Sequence, residues 1–124
     1  MNIGIDLDDT ITAMPEFFSV ITEALIQKKH RIHIITYRDD RNDAVGDLNR
    51  LAIQYTQVHL PTGTVDMAEW KRQVAIETDL DIMIDDSPEV LNKLPSKCKR
   101  IWLCDRDVFD LSVCIKAMHG RIKD

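Results

Sequence analysis

Two groups of acidic residues stand at the ends of short apolar stretches in this sequence. The first is residues 6–10 (DLDDT), after the apolar segment 1–5, and the second is the pair Asp85-Asp86, after residues 80–84. Neighbouring carboxylates raise each other's cost of ionisation, so crowding them is unfavourable without a compensating positive charge. A hard divalent cation binds oxygen ligands and supplies that charge. The two groups therefore predict one shared cation site.

The spacing of Asp6 and Asp8 suits covalent catalysis. Residues two apart in an extended segment can point to the same side. A carboxylate nucleophile can form an acyl-phosphate and so divide one difficult step into two easier ones. Its neighbour would protonate the leaving oxygen and then deprotonate the attacking water. The alternative is that Asp8 and Asp9 only stabilise a turn or cap a helix, but the further residues described next favour catalysis.

Thr36 and Lys71 are candidates for binding a phosphoryl group. Thr36 ends a second apolar run, where its hydroxyl could donate to a phosphoryl oxygen. Lys71 falls in the apolar stripe of a predicted helix, four residues after Met67 and three and four before Val74 and Ala75. A lysine on an inner face must either extend to solvent or meet negative charge. We therefore predict that Lys71 faces the acidic site.

Asp85 and Asp86 would complete the cation site. Magnesium prefers one or two carboxylates together with waters and substrate phosphate. Asp6 and Asp85 are the predicted carboxylates. Asp86 also suits a cap for a helix beginning near Pro88, so for this residue the two interpretations stay open.

Short apolar runs alternate with amphipathic helical patterns along the chain. Strands are predicted at residues 2–7, 32–36, 56–60, 80–84 and 101–104. Helices are predicted to begin near Pro15, Asp39 or Asp40, Thr62 or Thr64, Pro88 and Val108. The buried face of the first helix is predicted to carry Phe17, Val20, Ile21, Ala24 and Leu25. Such alternation implies an α/β fold with a mainly parallel five-stranded sheet and helices on both faces. Ligands of such sheets bind beyond the carboxyl ends of the strands, where both acidic groups lie.

The composition is that of one globular domain. The chain has 124 residues, of which 44% are hydrophobic and 30% charged, and we predict a single domain spanning residues 1–124. A net charge of −5 without a basic stripe argues against a nucleic-acid footprint. No apolar run approaches the ~20 residues that span a bilayer, so no membrane association is expected. Three cysteines without metal-site spacing suggest reduced thiols and a cytoplasmic protein. The oligomeric state is not predictable from these features.

Four parts of the sequence together resemble the motifs of the haloacid dehalogenase (HAD) superfamily. They are residues 6–10, Thr36, Lys71 and the pair Asp85-Asp86, which occur in the order of that superfamily and at strand ends. The motifs span residues 3–86, and the strand pattern extends the likeness to about residue 104. The resemblance implies a three-layer Rossmann-like fold, magnesium dependence and an aspartyl-phosphate intermediate.

The resemblance also implies a role for each matching residue. The implied catalytic residues are Asp6 as nucleophile, Asp8 as general acid and base, and Thr36 and Lys71 as phosphoryl-binding groups. The implied magnesium ligands are Asp6, Asp8 through its backbone carbonyl, Asp85 and, in a supporting position, Asp86. The candidate substrate-binding residues are Thr10 and Arg38. Arg38, two residues after Thr36, could meet a phosphate or a base, and a surface position is an equal alternative for it. An Asp at the second acidic position is typical of the phosphatases of this superfamily, so a phosphomonoester hydrolase is expected.

Residues 81–89 (DIMIDDSPE) and the small size are similar to the cytosolic 5′(3′)-deoxyribonucleotidase branch. The expected substrate is therefore a small phosphorylated molecule, with nucleotides as candidates. That branch carries a helical cap after the first motif. Here the segment between Thr10 and Thr36 accommodates one crossover helix, and the segment between Thr36 and Lys71 one helix and one strand. We therefore predict a domain without a cap.

Two other classes fit parts of the pattern. A phospho-accepting receiver domain has a similar length, five parallel strands, a carboxylate cluster, a Thr and a Lys. Its lysine follows the fifth strand, however, whereas Lys71 precedes Asp85 and lies on a predicted helix. A non-catalytic binding module that keeps the fold is the second alternative, although such a module is expected to have lost part of the motif.

Overall fold

The computed structural model describes residues 1–104, in which strands and helices alternate. The elements are β1 (Asn2–Ile5), α1 (Pro15–Gln27), β2 (Arg31–Ile35), α2 (Arg41–Arg50), β3 (Gln57–His59), α3 (Met67–Glu77), β4 (Ile82–Asp85), α4 (Pro88–Lys93) and β5 (Lys99–Trp102). The helix predicted near Val108 lies outside the described residues. None of the described helices is long and apolar enough to cross a bilayer.

The five strands form one sheet in the order β3-β2-β1-β4-β5, and every neighbouring pair is parallel. One face packs on α1 and α2 through a core that includes Ile5, Phe18 and Leu48. The other face packs on α3 and α4 through a core that includes Met83 and Leu91. The predicted fold class is therefore confirmed as a three-layer Rossmann-like α/β fold, and the described residues contain no cap domain.

The strand order places β1 at the centre and brings three carboxyl ends together. Ile5 pairs with Ile34 of β2 on one side and with Ile84 of β4 on the other. The chain runs outward from β1 to β3 and then returns to β4, so the direction of strand succession reverses between β1 and β4. Crevices at such reversals are where open α/β sheets bind ligands.

Helix starts follow local capping chemistry. Asp40 caps α2 by accepting from the Asp43 backbone N–H, and Ser87 caps α4 in the same way before a proline. The third helix begins at Met67, later than the predicted start at residues 62–64. The reason is that Asp66 provides the cap, with its carboxylate 3.0 Å from the Glu69 backbone nitrogen.

β1 is shorter than predicted because the chain leaves the sheet after Ile5. Residues Leu7–Ile11 form one wide turn, closed by a hydrogen bond of 3.1 Å from the Thr12 N–H to the Leu7 carbonyl. Within it Asp9 has a left-handed backbone with φ of 61°, a conformation that Asp tolerates better than most residues. The residues directly after Asp6 therefore belong to this turn and not to the sheet.

The predicted inner face of α1 was wrong in part, although Leu25 does pack against the core. Phe18 and Thr22 are buried, whereas Phe17 is 49% and Val20 is 68% exposed. Thr22 tolerates burial because its hydroxyl donates to the Phe18 carbonyl at 2.7 Å. A search for apolar residues at helical spacing passes over a buried threonine whose hydroxyl is bonded within its own helix. The apolar pattern therefore indicated the neighbouring stripe of residues.

Candidate active site

A buried lysine joins the two acidic groups. Lys71 Nζ on α3 lies 2.7 Å from Asp6 Oδ1 and 2.9 Å from Asp85 Oδ2. The lysine is only 2% exposed, and both carboxylates are buried as well. Asp6 directly follows β1 and Asp85 ends β4, so the adjacent carboxyl ends of these strands bring the pair together. Lys71 thus faces inward towards negative charge, as the helical pattern predicts.

Two buried carboxylates share one ammonium group, and burial favours the protonated form of both. Burial raises the pKa of Asp6 from 3.8 to about 7; Lys71 opposes this rise and Asp85 adds to it. Burial likewise raises the pKa of Asp85. Burial alone would lower the pKa of Lys71, but the two carboxylates outweigh it and raise that pKa. The site therefore favours additional positive charge, either a proton or a second cation.

We expect the free energy of unfolding of the metal-free protein to fall as the pH rises from about 4 to 7. In this range the folded chain keeps a proton on Asp6 that the unfolded chain has released, so the stabilisation is complete below pH 3.8 and is lost as the pH passes about 7. Urea unfolding in chelator at several pH values measures the slope.

The matched control for this slope is Asp6→Asn, which cannot titrate at that position. Burial lowers the pKa of His33 and His59, so these residues act in the opposite direction, destabilising the fold below pH 6.5. Both histidines are kept in the variant, so the difference between the two proteins reports Asp6 together with its effect on Asp85, which bonds the same lysine. Identical slopes would show that Asp6 does not hold the proton.

Asp86 brings a third carboxylate to the same place. Oxygen atoms of Asp6, Asp85 and Asp86 lie within 4.8 Å of one another. Thr10 donates to Asp6 Oδ2 at 3.0 Å and approaches Asp86 Oδ1 at 3.4 Å. Three hard oxygen donors with excess negative charge fit a divalent cation such as magnesium. The Asp8 carboxylate is not part of this group.

These residues open into a cavity of about 200 Å³ at the carboxyl edge of the sheet. Its walls include Asp8, Lys71 and Ser87, together with the apolar parts of Tyr37 and Met67. Tyr37 is held by a hydrogen bond from its hydroxyl to the Val65 carbonyl. The cavity thus has a charged floor and one apolar wall.

A larger depression of about 440 Å³ lies beside α4 and β5, away from the acidic residues. Its most basic residue, Arg100, donates to the carbonyl oxygens of Leu91, Leu94 and Cys98. Because the guanidinium N–H groups of Arg100 already bond backbone carbonyls at and after the end of α4, we assign this arginine a structural role. We therefore place the candidate site at the smaller cavity, where the titratable groups meet.

Of the remaining predicted site residues, Asp8 lines the cavity, whereas Thr10, Thr36 and Arg38 are not among its lining residues. Thr36 is fully buried at the end of β2, and its hydroxyl accepts from the Arg38 backbone N–H at 3.3 Å. Thr10 is also fully buried, which favours orienting Asp6 over the predicted substrate contact. Asp8 is 54% exposed and pairs with Arg38, whose head group therefore points to carboxylates.

Sequence reasoning missed the two other partners of Arg38. Asp43 and Asp47 lie four residues apart on α2 and both accept from its guanidinium. In the sequence they look like an ordinary solvated helix face. The i, i+4 spacing of two acids on the helix after Arg38 is the one signal that could have indicated a basic partner.

Compared with models of known protein families and with curated proteins, the chain shows no match.

Proposed function

We propose that this chain is a magnesium-dependent phosphomonoester hydrolase of the HAD type, acting through an aspartyl-phosphate on Asp6. The observation that carries the proposal is the buried Asp6–Lys71–Asp85 cluster at the carboxyl ends of two adjacent parallel strands. Buried ionisable groups with raised pKa values beside a cavity are typical of functional sites. A purely structural ion pair would not need the second buried carboxylate.

In the first step Asp6 attacks the phosphorus atom of the substrate. A bond forms between an Asp6 carboxylate oxygen and phosphorus, and the ester bond from phosphorus to the leaving oxygen breaks. Asp8 transfers its proton to that oxygen, so the product leaves as an alcohol. Lys71 supplies positive charge to the phosphoryl oxygens, on which negative charge is spread.

In the second step water releases the phosphate. Asp8, now ionised, takes a proton from the water as the water oxygen bonds to phosphorus. The bond between phosphorus and Asp6 breaks, which regenerates the Asp6 carboxylate and yields inorganic phosphate. Thr10, which donates to Asp6 Oδ2, keeps the nucleophile oriented through both steps.

Asp6, Asp85 and Asp86 would hold the magnesium ion, with the backbone carbonyl of Asp8 as the further ligand implied by the resemblance. The ion would neutralise charge on the phosphoryl group and favour the ionised form of Asp6. This fits the environment of Asp6, whose pKa is raised first by burial and then by the neighbouring Asp85.

The strand order argues against the receiver-domain alternative. Receiver domains have the order 2-1-3-4-5, in which β1 and β3 are neighbours. In this chain β1 lies between β2 and β4, and β3 is at the edge. The lysine also differs, because Lys71 reaches the site from a helix.

We propose a small phosphorylated molecule as substrate, with nucleotides among the candidates. The cavity of about 200 Å³ accommodates a phosphoryl group, and the leaving group would extend along the apolar wall of Tyr37 and Met67. A cytoplasmic location is proposed as well, in keeping with the free, buried thiol of Cys98.

We expect the protein to release phosphate repeatedly from some members of a panel of phosphate esters, with magnesium and not with chelator. The panel should contain p-nitrophenyl phosphate, glycerol phosphate and deoxynucleoside monophosphates. Repeated turnover identifies an enzyme, one phosphoryl group per chain would identify a receiver, and ester binding without release a binding module. The last two results, or no interaction at all, would contradict the proposal.

A further inference from the structure

Arg38 lies at the centre of an ionic cluster that includes Asp8, a residue of the cavity lining. Its Nε and Nη2 atoms bond both oxygens of Asp8, at 3.0 and 2.7 Å. Its Nη1 atom bonds Asp43 at 3.1 Å and Asp47 at 2.7 Å. The pairing with Asp8 is bidentate, the geometry in which arginine fixes a carboxylate most firmly.

The guanidinium is itself anchored from two directions. Its backbone follows β2, where the Arg38 N–H donates to the Thr36 hydroxyl. Its head group is tied to the first turns of α2 through Asp43 and Asp47. Arg50 bonds the second oxygen of Asp47 at 3.2 Å. Arg38 itself lies in the loop between β2 and α2, and these contacts tie it to a residue that follows the strand and to the helix.

Asp8 has little else to define its position. It lies in the wide turn after Asp6, and its side chain is 54% exposed. Among residues 1–104, the structure gives its carboxylate hydrogen bonds from Arg38 alone. A group that transfers a proton must lie within hydrogen-bond reach of the reacting oxygen. A side chain that moves freely spends a smaller fraction of its time in that position.

We infer that Arg38 is a positioning residue, which holds Asp8 beside the cavity. When Asp8 carries its proton, one of its oxygens still accepts from the guanidinium, and the other can donate the proton to the leaving oxygen. This inference deepens the proposed hydrolase and rests on it. It replaces the prediction that Arg38 binds the substrate. Three carboxylates already surround the guanidinium, so its charge is more than balanced and a phosphate dianion would be repelled there.

The test compares a good and a poor leaving group. p-Nitrophenolate leaves readily without a proton, whereas the alkoxide of glycerol phosphate needs one. We expect Arg38→Gln to lower kcat/KM on the order of 100-fold with glycerol phosphate and less than about 10-fold with p-nitrophenyl phosphate, since general acid catalysis contributes 10²–10⁴-fold. A structural or substrate-binding role would lower both values alike, and equal losses would overturn the inference.

Two further variants sharpen the result. Arg38→Lys keeps the charge but cannot form the bidentate pair with Asp8. We therefore expect it to show most of the loss of kcat/KM with glycerol phosphate that Arg38→Gln shows. Wild-type values for both esters would contradict positioning by geometry. Asp47→Asn weakens the pairing of Asp47 with Arg38 and does not alter Asp8. We expect kcat/KM to fall more with glycerol phosphate than with p-nitrophenyl phosphate, but by less than in Arg38→Gln. If the arginine variants do not fold, Asp47→Asn alone tests the inference. A ratio of its two kcat/KM values equal to that of the wild type would then overturn the inference.

The matched control is Arg50→Gln, which removes an exposed arginine from the outer side of the same Asp47. Its ratio of the two kcat/KM values should equal that of the wild type, and a change as large as that of Arg38→Gln would overturn the inference. Wild-type protein that releases no phosphate from either ester would refute the proposed function and this inference together. Wild-type turnover with equal losses in the arginine variants refutes the inference alone.

Discussion

Replacing Asp6 by asparagine should reduce phosphate release by at least about 10⁴-fold, the order seen when a nucleophile is removed. A neutral amide oxygen is a poor nucleophile, and the phosphorylated intermediate cannot form. Steady-state release from p-nitrophenyl phosphate with magnesium measures the effect, and transfer of radiolabel to the chain measures the intermediate.

The fold should tolerate this change because asparagine matches the shape of aspartate. Lys71 keeps Asp85 as its partner, and one of two crowded buried carboxylates is gone. We therefore expect a thermal midpoint equal to or above that of the wild type in chelator. Asp39→Asn, an exposed change four residues after the end of β2 at Ile35, is the matched control and should leave turnover intact. Normal turnover in Asp6→Asn would end the nucleophile assignment.

Replacing Lys71 by methionine should lower both stability and rate. Methionine fills much of the same volume, but Asp6 and Asp85 would lose the ammonium group that bonds both of them. Removing one partner of a buried ion pair costs about 3–5 kcal/mol of unfolding free energy, because the remaining charge is buried without compensation. We also expect kcat to fall about 10²–10³-fold, as for loss of one preorganised transition-state donor.

Urea unfolding in chelator and in magnesium tests this expectation. Magnesium should recover part of the lost stability, because the ion supplies positive charge to the same carboxylates. Lys93→Met is the control: Lys93 bonds Glu69 in an exposed pair, and little change is expected. If Lys71→Met were as stable as the wild type in chelator, Asp6 and Asp85 would not depend on the lysine for their charge balance.

Much of the site could be predicted from sequence because parallel sheets constrain it. Residues that follow different strands at the carboxyl edge must lie close together, which brings Asp6 and Asp85 within reach of each other. The inward position of Lys71 followed from helical periodicity alone. Alternation of strands and helices was sufficient for the three-layer fold.

Other features depend on contacts that no local pattern encodes. The setting of α1 on the sheet was mispredicted because Thr22 satisfies its own hydroxyl in the core. The Arg38 cluster joins a turn, a strand end and a helix, and each partner alone resembles a solvated charge. The order of strands likewise follows from packing of the helices on the two faces.

The position of β1 has a consequence for how the protein loses function. Asp6 and Asp85 continue from β1 and β4, and β1 is hydrogen-bonded on both sides. Central strands belong to the last part of a domain to open, and their amides exchange only through global unfolding. Asp6 and Asp85 are thus brought together when the whole domain folds, and they separate when the whole domain unfolds. Core substitutions far from the cavity would reduce activity chiefly by reducing the population of folded molecules.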